Sequence, residues 1–256
     1  MSWKDRITFV LVEPKEPGNI GASARALKNM GFLNLALVNP LKQETFNERR
    51  LREILENSEA RWFATGALDV LKKAGLYRTL HEAISDKALV VGTTRRTGKR
   101  RGVILPLKEG IKRILEVSSG NRVAILFGRE DRGLYNEEVR ECGFLMTIPA
   151  SKKAPSLNLA QSVLLVSYEL HMAGEALFSD RDSIDVPPLR LVSHTDIENL
   201  LKRIREALKV LGYIPRGDRD LERKIMDNMG FLLKRAGLTE WELNMLHGIA
   251  TRIMEK

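Results

Sequence analysis

The chain has 256 residues, 43% hydrophobic and 29% charged, the make-up of a globular protein with ample core rather than of a disordered or fibrous one. Its 42 Lys and Arg against 33 Asp and Glu give a net charge of +9, which makes a polyanion the natural partner. The single Cys142 excludes an internal disulfide framework and a zinc-cysteine cluster, no apolar run reaches membrane-spanning length, and Met-Ser-Trp-Lys-Asp-Arg leads into too few apolar residues for a signal peptide, so the expectation is a soluble, cytoplasmic protein.

In chain order, Ile7 to Val12 is short, β-branched and apolar, and reads as a buried strand. The loop after it holds Pro14, Pro17 and Gly18. Asn19 is placed to cap a helix on which Ala22, Ala26 and Met30 share one face and which ends at Gly31. Leu33 to Val38 is the next strand. This β-loop-α-β order predicts a parallel α/β sheet. A charged helix is expected from about Glu48 to Ala67, then an apolar segment Val70 to Ala74 and a helix near Leu80 to Ser85. Ala88 to Gly92, Val123 to Phe127 and Phe144 to Ile148 complete five predicted strands. Between the first two of these, the run Arg95 to Arg113 carries eight Lys or Arg and one acid, Glu109, and reads as a basic loop.

Ile148 to Asn158 has two prolines, two serines and an asparagine and reads as an irregular loop. From Leu159 the residues Leu159, Val163, Val166 and Leu170 recur at helical spacing, with Ala160, Leu164 and Leu165 widening the stripe. Around Phe178 to Arg190 the polar composition with Pro187-Pro188 marks a linker. Thr195 is expected to cap a helix with Ile197, Leu200, Leu201, Ile204, Leu208 and Leu211 on one face. Two more helices follow, about Asp220 to Arg235 and Thr239 to Met254, the last opened by a Thr239–Glu242 capping box. The division is therefore 1–177, a linker at 178–192, and an all-helical part at 193–256.

In an open parallel sheet, ligands sit beyond the carboxyl ends of the strands. Four polar, Gly-, Pro- or Ser-rich stretches fall there: Glu13 to Arg25, Gly92 to Arg96, Gly128 to Gly133 and Pro149 to Asn158. Neither G-x-G-x-x-G nor the P-loop pattern occurs, nor does a G-x-S-x-G elbow. His81, His171, His194 and His247 show no metal-ligand spacing, so no metal is expected. What remains is a ligand held mainly by backbone, beside a basic rim.

The blocks E-P-K-E-P-G-N-I-G-A-S-A-R-A-L-K-N-M-G, L-F-G-R-E-D-R-G-L and I-P-A-S-K-K-A-P-S-L-N-L-A-Q-S-V resemble the three signature motifs of SpoU/TrmH-type methyltransferases in the SPOUT superfamily. The linker and the ending W-E-L-N-M-L-H-G-I-A extend the likeness to the TrmJ-type branch, which methylates the 2′-hydroxyl of cytidine or uridine at position 32 of the tRNA anticodon loop. The resemblance implies an α/β sheet whose C-terminal part is tied as a trefoil knot, S-adenosylmethionine as cofactor, tRNA as substrate, and a homodimer with each active site built across the interface. It carries cofactor contacts onto Thr93, Thr94, Arg95, Gly128, Ile148, Pro155, Ser156 and Leu157, and catalytic or substrate roles onto Asn19, Arg25, Glu130, Ser156 and Asn158. Relatives often carry a Tyr-x before Ser-Leu-Asn where this chain has Ala154-Pro155, and Pro155 removes one N–H donor.

Each residue also has a plainer reading. Arg25 is a solvated helix arginine or a group that clamps the target phosphate and steadies the developing alkoxide; a guanidinium is not expected to act as the base. Asn19 is a helix cap, a substrate contact or both. Glu130 is a surface acid or the carboxylate that orients Arg25 or Asn19. Ser156 and Asn158 are turn formers or site residues, and the basic run is a solvated loop or a contact for the tRNA backbone. Ribosomal RNA methylation, or a catalytically silent RNA-binding module on the same fold, stands as the alternative function.

Overall fold

The computed structural model describes residues 2–42, 45–96, 101–151, 153, 156–179, 189–214 and 219–255. Among them are the strands β1 (Ile7–Val12), β2 (Leu35–Val38), β3 (Gly75–Tyr77), β4 (Leu89–Thr93), β5 (Ile104–Pro106), β6 (Val123–Phe127) and β7 (Phe144–Thr147). They form one sheet in the order β3-β2-β1-β6-β4-β7-β5, and every pairing in it is parallel.

Alternation along the central strands sets the two faces of the sheet. Ile7, Phe9 and Leu11 point to one face, where Ile125, Phe127, Val91 and Leu37 join them in the larger core. That face is covered by α1 (Pro17–Asn29), α6 (Leu107–Ser118) and α8 (Leu159–Ser179). Val10, Val12, Val90, Ala124 and Leu126 point to the other face, covered by α5 (Leu80–Ile84) and α7 (Asn136–Arg140). Burial on both faces explains why these strands are apolar throughout rather than alternating. Between β2 and β3 lie α2 (Glu48–Glu56), α3 (Glu59–Phe63) and α4 (Leu68–Lys73). Gly21 is where α1 and α3 touch: a Cβ there would overlap the Ala60 carbonyl, so only glycine lets the two backbones meet.

After α8 come α9 (His194–Val210), α10 (Arg219–Ala236) and α11 (Glu240–Met254), which bury their own cluster of Ile197, Leu200, Leu201, Ile214, Met226, Leu233 and Leu238. Polar contacts join this cluster to the elements around the sheet. The Lys234 ammonium, 7% exposed, lies 3.0 Å from Glu141 and 2.7 Å from Glu198, and His194 Nε2 is 2.9 Å from Glu141. An Arg113 guanidinium N–H donates to the Arg235 carbonyl at 2.6 Å.

The structure departs from several sequence expectations. The helix expected from Glu48 to Ala67 is two helices, because Asn57 and Ser58 end one and start the next, the Ser58 hydroxyl capping α3. The basic run is not one loop: β5 and the first turns of α6 take up its second half, and residues 97–100 lie outside the described residues. Leu164 and Leu165 do not widen the buried stripe of α8; they are 40% and 38% exposed, whereas Val163, Val166 and Leu170 are fully buried. The boundary expected at 177/178 falls inside α8, and most of the expected linker (180–188) lies outside the described residues. Ser193 rather than Thr195 caps α9, in a capping box with Asp196, while the Thr239–Glu242 box forms as expected. Asn19 is not a cap either: α1 starts at Pro17, with Glu16 extended before it, so Asn19 already sits in the first turn.

Candidate active site

The helix α1 begins without a cap of its own, since the Glu16 side chain makes no capping bond. The cap comes from 114 residues away. Glu130 accepts hydrogen bonds from the backbone N–H of Lys15 (3.2 Å) and Glu16 (3.3 Å), and from Asn19 Nδ2 (3.0 Å). A carboxylate at a helix N-terminus satisfies orphan donors and complements the helix dipole.

The polarity of the next links follows from that one. An ionised carboxylate only accepts, so Asn19 must turn its NH2 toward Glu130 and its oxygen away. That oxygen accepts from Asn158 Nδ2 at 2.9 Å, and Asn158 Oδ1 in turn accepts the Ala160 N–H at 2.8 Å, capping α8. Asn158 therefore forms the turn before α8 and also joins the chain of side chains. Glu130, Asn19 and Asn158 link the loops after β6, β1 and β7 at one sheet edge.

Beside this chain lies a cleft at the carboxyl ends of β4, β6 and β7. Thr93, Thr94, Arg95, Gly128, Glu130, Ile148, Ser156 and Leu157 all line it. Pro155 and Ala154 lie outside the described residues. The strand ends shape the walls: Thr93 Oγ1 donates to the Leu126 carbonyl at 2.9 Å, and the Thr94 N–H to the Met146 carbonyl at 2.9 Å. Gly128 is needed because a Cβ would overlap the Gly133 carbonyl carbon, where the loop 129–133 doubles back with a Gly133 N–H to Arg129 carbonyl bond of 2.8 Å.

Sequence reasoning placed Arg96, Arg101 and Arg129 in the basic run or at the ligand edge but gave no sign of the contacts they make. Arg96 donates to the Arg132 carbonyl (2.9 Å), and Arg101 donates to Thr94 Oγ1 (3.0 Å) and the Leu134 carbonyl (2.9 Å), so both tie the loop after β4 to the loop after β6. Burial, and then the charge of Arg96, push the Arg101 pKa down. Arg129, 5% exposed, bonds Glu13 and Glu138. Burial opposes its charge, but hydrogen bonds to Glu13 and Glu138 outweigh it and hold the guanidinium above its ordinary pKa. No local pattern distinguishes these arginines from a solvated basic stretch; their partners are distant in sequence.

Arg25 stands apart. It is exposed on α1, does not line the cleft of its own chain, and has no hydrogen-bond or ion-pair partner among the described residues. It shares a face of α1 with Ala22 and Asn29; on α8, which packs on α1, Leu164, Leu165, Tyr168 and Met172 are exposed. Away from the cleft, His194 does meet two acids: ligand atoms of Glu141, His194 and Glu198 lie within 4.8 Å of one another, with the Lys234 ammonium bonded to both carboxylates.

A parallel sheet with this cleft and this linked trio of polar side chains defines an α/β enzyme scaffold with a ligand site at its strand ends. The SpoU rRNA Methylase family model matches residues 6–168, and the chain belongs to that family. It is 34% identical to the Pseudomonas aeruginosa tRNA (cytidine/uridine/adenosine-2′-O-)-methyltransferase TrmJ, covering 96% of this chain and 93% of that one. It is 35% identical to the Escherichia coli tRNA (cytidine/uridine-2′-O-)-methyltransferase TrmJ, covering 98% and 96%. Among solved structures, TrmJ from Z. mobilis superposes with a TM-score of 0.76 at 28% identity over 97% of this chain and 99% of that one.

Proposed function

We propose that this chain is an S-adenosylmethionine-dependent methyltransferase acting on a ribose 2′-hydroxyl of tRNA, in the anticodon loop at a cytidine or uridine in position 32. The likeness to TrmJ enzymes runs over nearly the whole chain, helical part included, which favours tRNA over the ribosomal RNA that the family name carries. The observation that carries the reading is the Glu130–Asn19–Asn158 chain, which gathers the three motif loops beside the cleft.

The residues present fit the cofactor. Ile148, Leu134, Leu157 and Leu159 offer apolar surface for a purine, the backbone of Thr93, Gly128 and Leu157 offers hydrogen-bonding groups, and Arg95, without an ion-pair partner among the described residues, suits a carboxylate. The bound cofactor supplies a methyl group already activated on a cationic sulfonium. The protein's task is then alignment and charge stabilisation. Asn19 and Asn158 hold the acceptor ribose, Glu130 holds Asn19, and Arg25 clamps the flanking phosphate and stabilises the forming alkoxide, while phosphate or water takes the proton.

Because Arg25 does not reach its own cleft, the reading requires a second copy. We assign the homodimer interface to the exposed face of α1 and to the side of α8 that exposes Leu164, Leu165, Tyr168 and Met172 at helical spacing. Each Arg25 then serves the neighbouring cleft. The trefoil knot is part of the same proposal: β7 lies between β4 and β5, which precede it in the chain, and α8 then crosses to pack on α1. So is the division into a methyltransferase domain (1–177) and a helical domain (193–256). The exposed arginines at the cleft face the tRNA backbone.

A tRNA transcript with deoxycytidine at position 32 separates ribose from base chemistry. It should accept no methyl group while the all-ribose transcript does. Equal labelling of both would refute ribose methylation.

A further inference from the structure

Two adjacent residues, Arg129 and Glu130, fasten the loop after β6 to the loop after β1, and they do so in opposite directions. Glu130 faces outward to the backbone N–H of Lys15 and Glu16 and to the Asn19 amide. Arg129 faces inward, its side chain only 4% exposed. Its Nε donates to Glu13 at 2.8 Å, and its Nη1 and Nη2 grip both oxygens of Glu138 at 3.0 and 2.8 Å. The guanidinium also lies 3.9 Å from the centre of the Tyr135 ring.

Each end of this grip is itself fixed. Glu138 is held at the start of α7 by the Tyr135 N–H at 2.7 Å. Glu13 takes a left-handed backbone, φ 46°, where β1 ends, and its N–H donates to the Val38 carbonyl at 2.8 Å. Glu13 is two residues from Lys15, whose N–H Glu130 must meet. The two-pronged contact with Glu138 fixes the plane of the guanidinium and so the direction in which Nε meets Glu13, which holds the two loops at one separation.

We propose that Arg129 and Glu13 form a positioning pair for Glu130: the pair sets the spacing at which the Glu130 carboxylate caps α1 and holds Asn19 toward the acceptor ribose. The proposal rests on the methyltransferase reading only for its catalytic consequence. Its structural content is that Glu130 loses its bonds to Lys15 and Glu16 when the pair is broken.

Two variants break it from opposite ends. Arg129→Lys keeps the charge and loses the fork. Glu13→Asn tolerates the left-handed backbone but is too short to reach Arg129. The test compares each variant, alone and combined with Glu130→Gln, by backbone amide exchange, by calorimetry with S-adenosylmethionine and by single-turnover methyl transfer to tRNA. Exchange at Lys15 and Glu16 should rise about tenfold in Arg129→Lys and Glu13→Asn, as in Glu130→Gln, with Phe9 to Leu11 unchanged. The methyl-transfer rate should fall about tenfold or more in each single variant, with cofactor affinity kept within about threefold, and Arg129→Lys should cost nothing further in the Glu130→Gln background. A full additional loss in that background, or unaltered exchange at Lys15 and Glu16, overturns the proposal. Should Arg129→Lys fail to fold, Glu13→Asn decides by the same readouts. If the wild-type protein transfers no methyl group, the methyltransferase reading falls, and amide exchange still decides whether the pair positions Glu130.

Discussion

The Asn158 side-chain amide donates to Asn19 Oδ1 at 2.9 Å across 139 positions of sequence, while the other end of the same amide caps α8. One residue therefore anchors a helix and touches the residue that Glu130 holds. The two roles can be separated by chemistry.

Asn158→Asp keeps an oxygen for the cap and removes the NH2 donor. Stability should change by less than about 1 kcal/mol, whereas Asn158→Ala should lose about 1 kcal/mol with the cap. Methyl transfer should fall about tenfold or more in both. Urea unfolding beside single-turnover kinetics checks this, and full activity in Asn158→Asp would sever Asn158 from the site.

Arg25→Ala should abolish methyl transfer and leave cofactor affinity nearly unchanged. Because Arg25 is assigned to the neighbouring cleft, mixing Arg25→Ala with Asn158→Ala protomers should restore activity, since a mixed dimer holds one intact combination of cleft and arginine. If mixing restores nothing although subunits exchange, Arg25 does not work across the interface.

Among the basic residues, Arg95 has no ion-pair partner among the described residues, whereas Arg96 and Arg101 hold carbonyls of the opposite loop. Arg95→Ala should weaken S-adenosylmethionine binding. Neutralising Arg95, Arg96, Arg100 and Arg101 together should also weaken tRNA binding, flatten the slope of log affinity against log salt and loosen the cleft. An unaltered slope would turn the basic run away from RNA.

The contact between the two cores predicts a pH signature. Burial opposes the charge of Glu141, but His194 and Lys234 outweigh it and bring its pKa from 4.5 down to about 2. A depressed carboxyl pKa stabilises the fold above its unfolded value and loses that contribution as pH falls. Wild type should therefore lose stability relative to Glu141→Gln as pH falls from 4.5 to 2. Denaturant midpoints of the two proteins across that range test it, and parallel curves would contradict it.

Much of the sheet could be read from the sequence, and the reasons are local. β1 and β6 match their predicted bounds because buried parallel strands are short, β-branched and apolar without interruption. β3 and β5 escaped because each has three residues and includes a Gly or a Pro, Gly75 and Pro106. The cap of α1 was placed on Asn19 because Asn is a good cap, but Pro17 starts the helix earlier and Glu130 caps it from a distance. The cleft itself was legible from strand order, since Gly128 to Gly133, most of Gly92 to Arg96 and part of Pro149 to Asn158 line it; only the roles of its residues came from the family motifs. The pairing of Arg129 with Glu13 was not legible, since a charged turn looks the same whether its arginine faces solvent or the core.

The most direct test maps ribose methylation in tRNA incubated with the purified protein and S-adenosylmethionine. The account predicts a single new 2′-O-methyl group at the pyrimidine in position 32, absent without the cofactor. Unmodified tRNA, or a methyl group on a base, would contradict it.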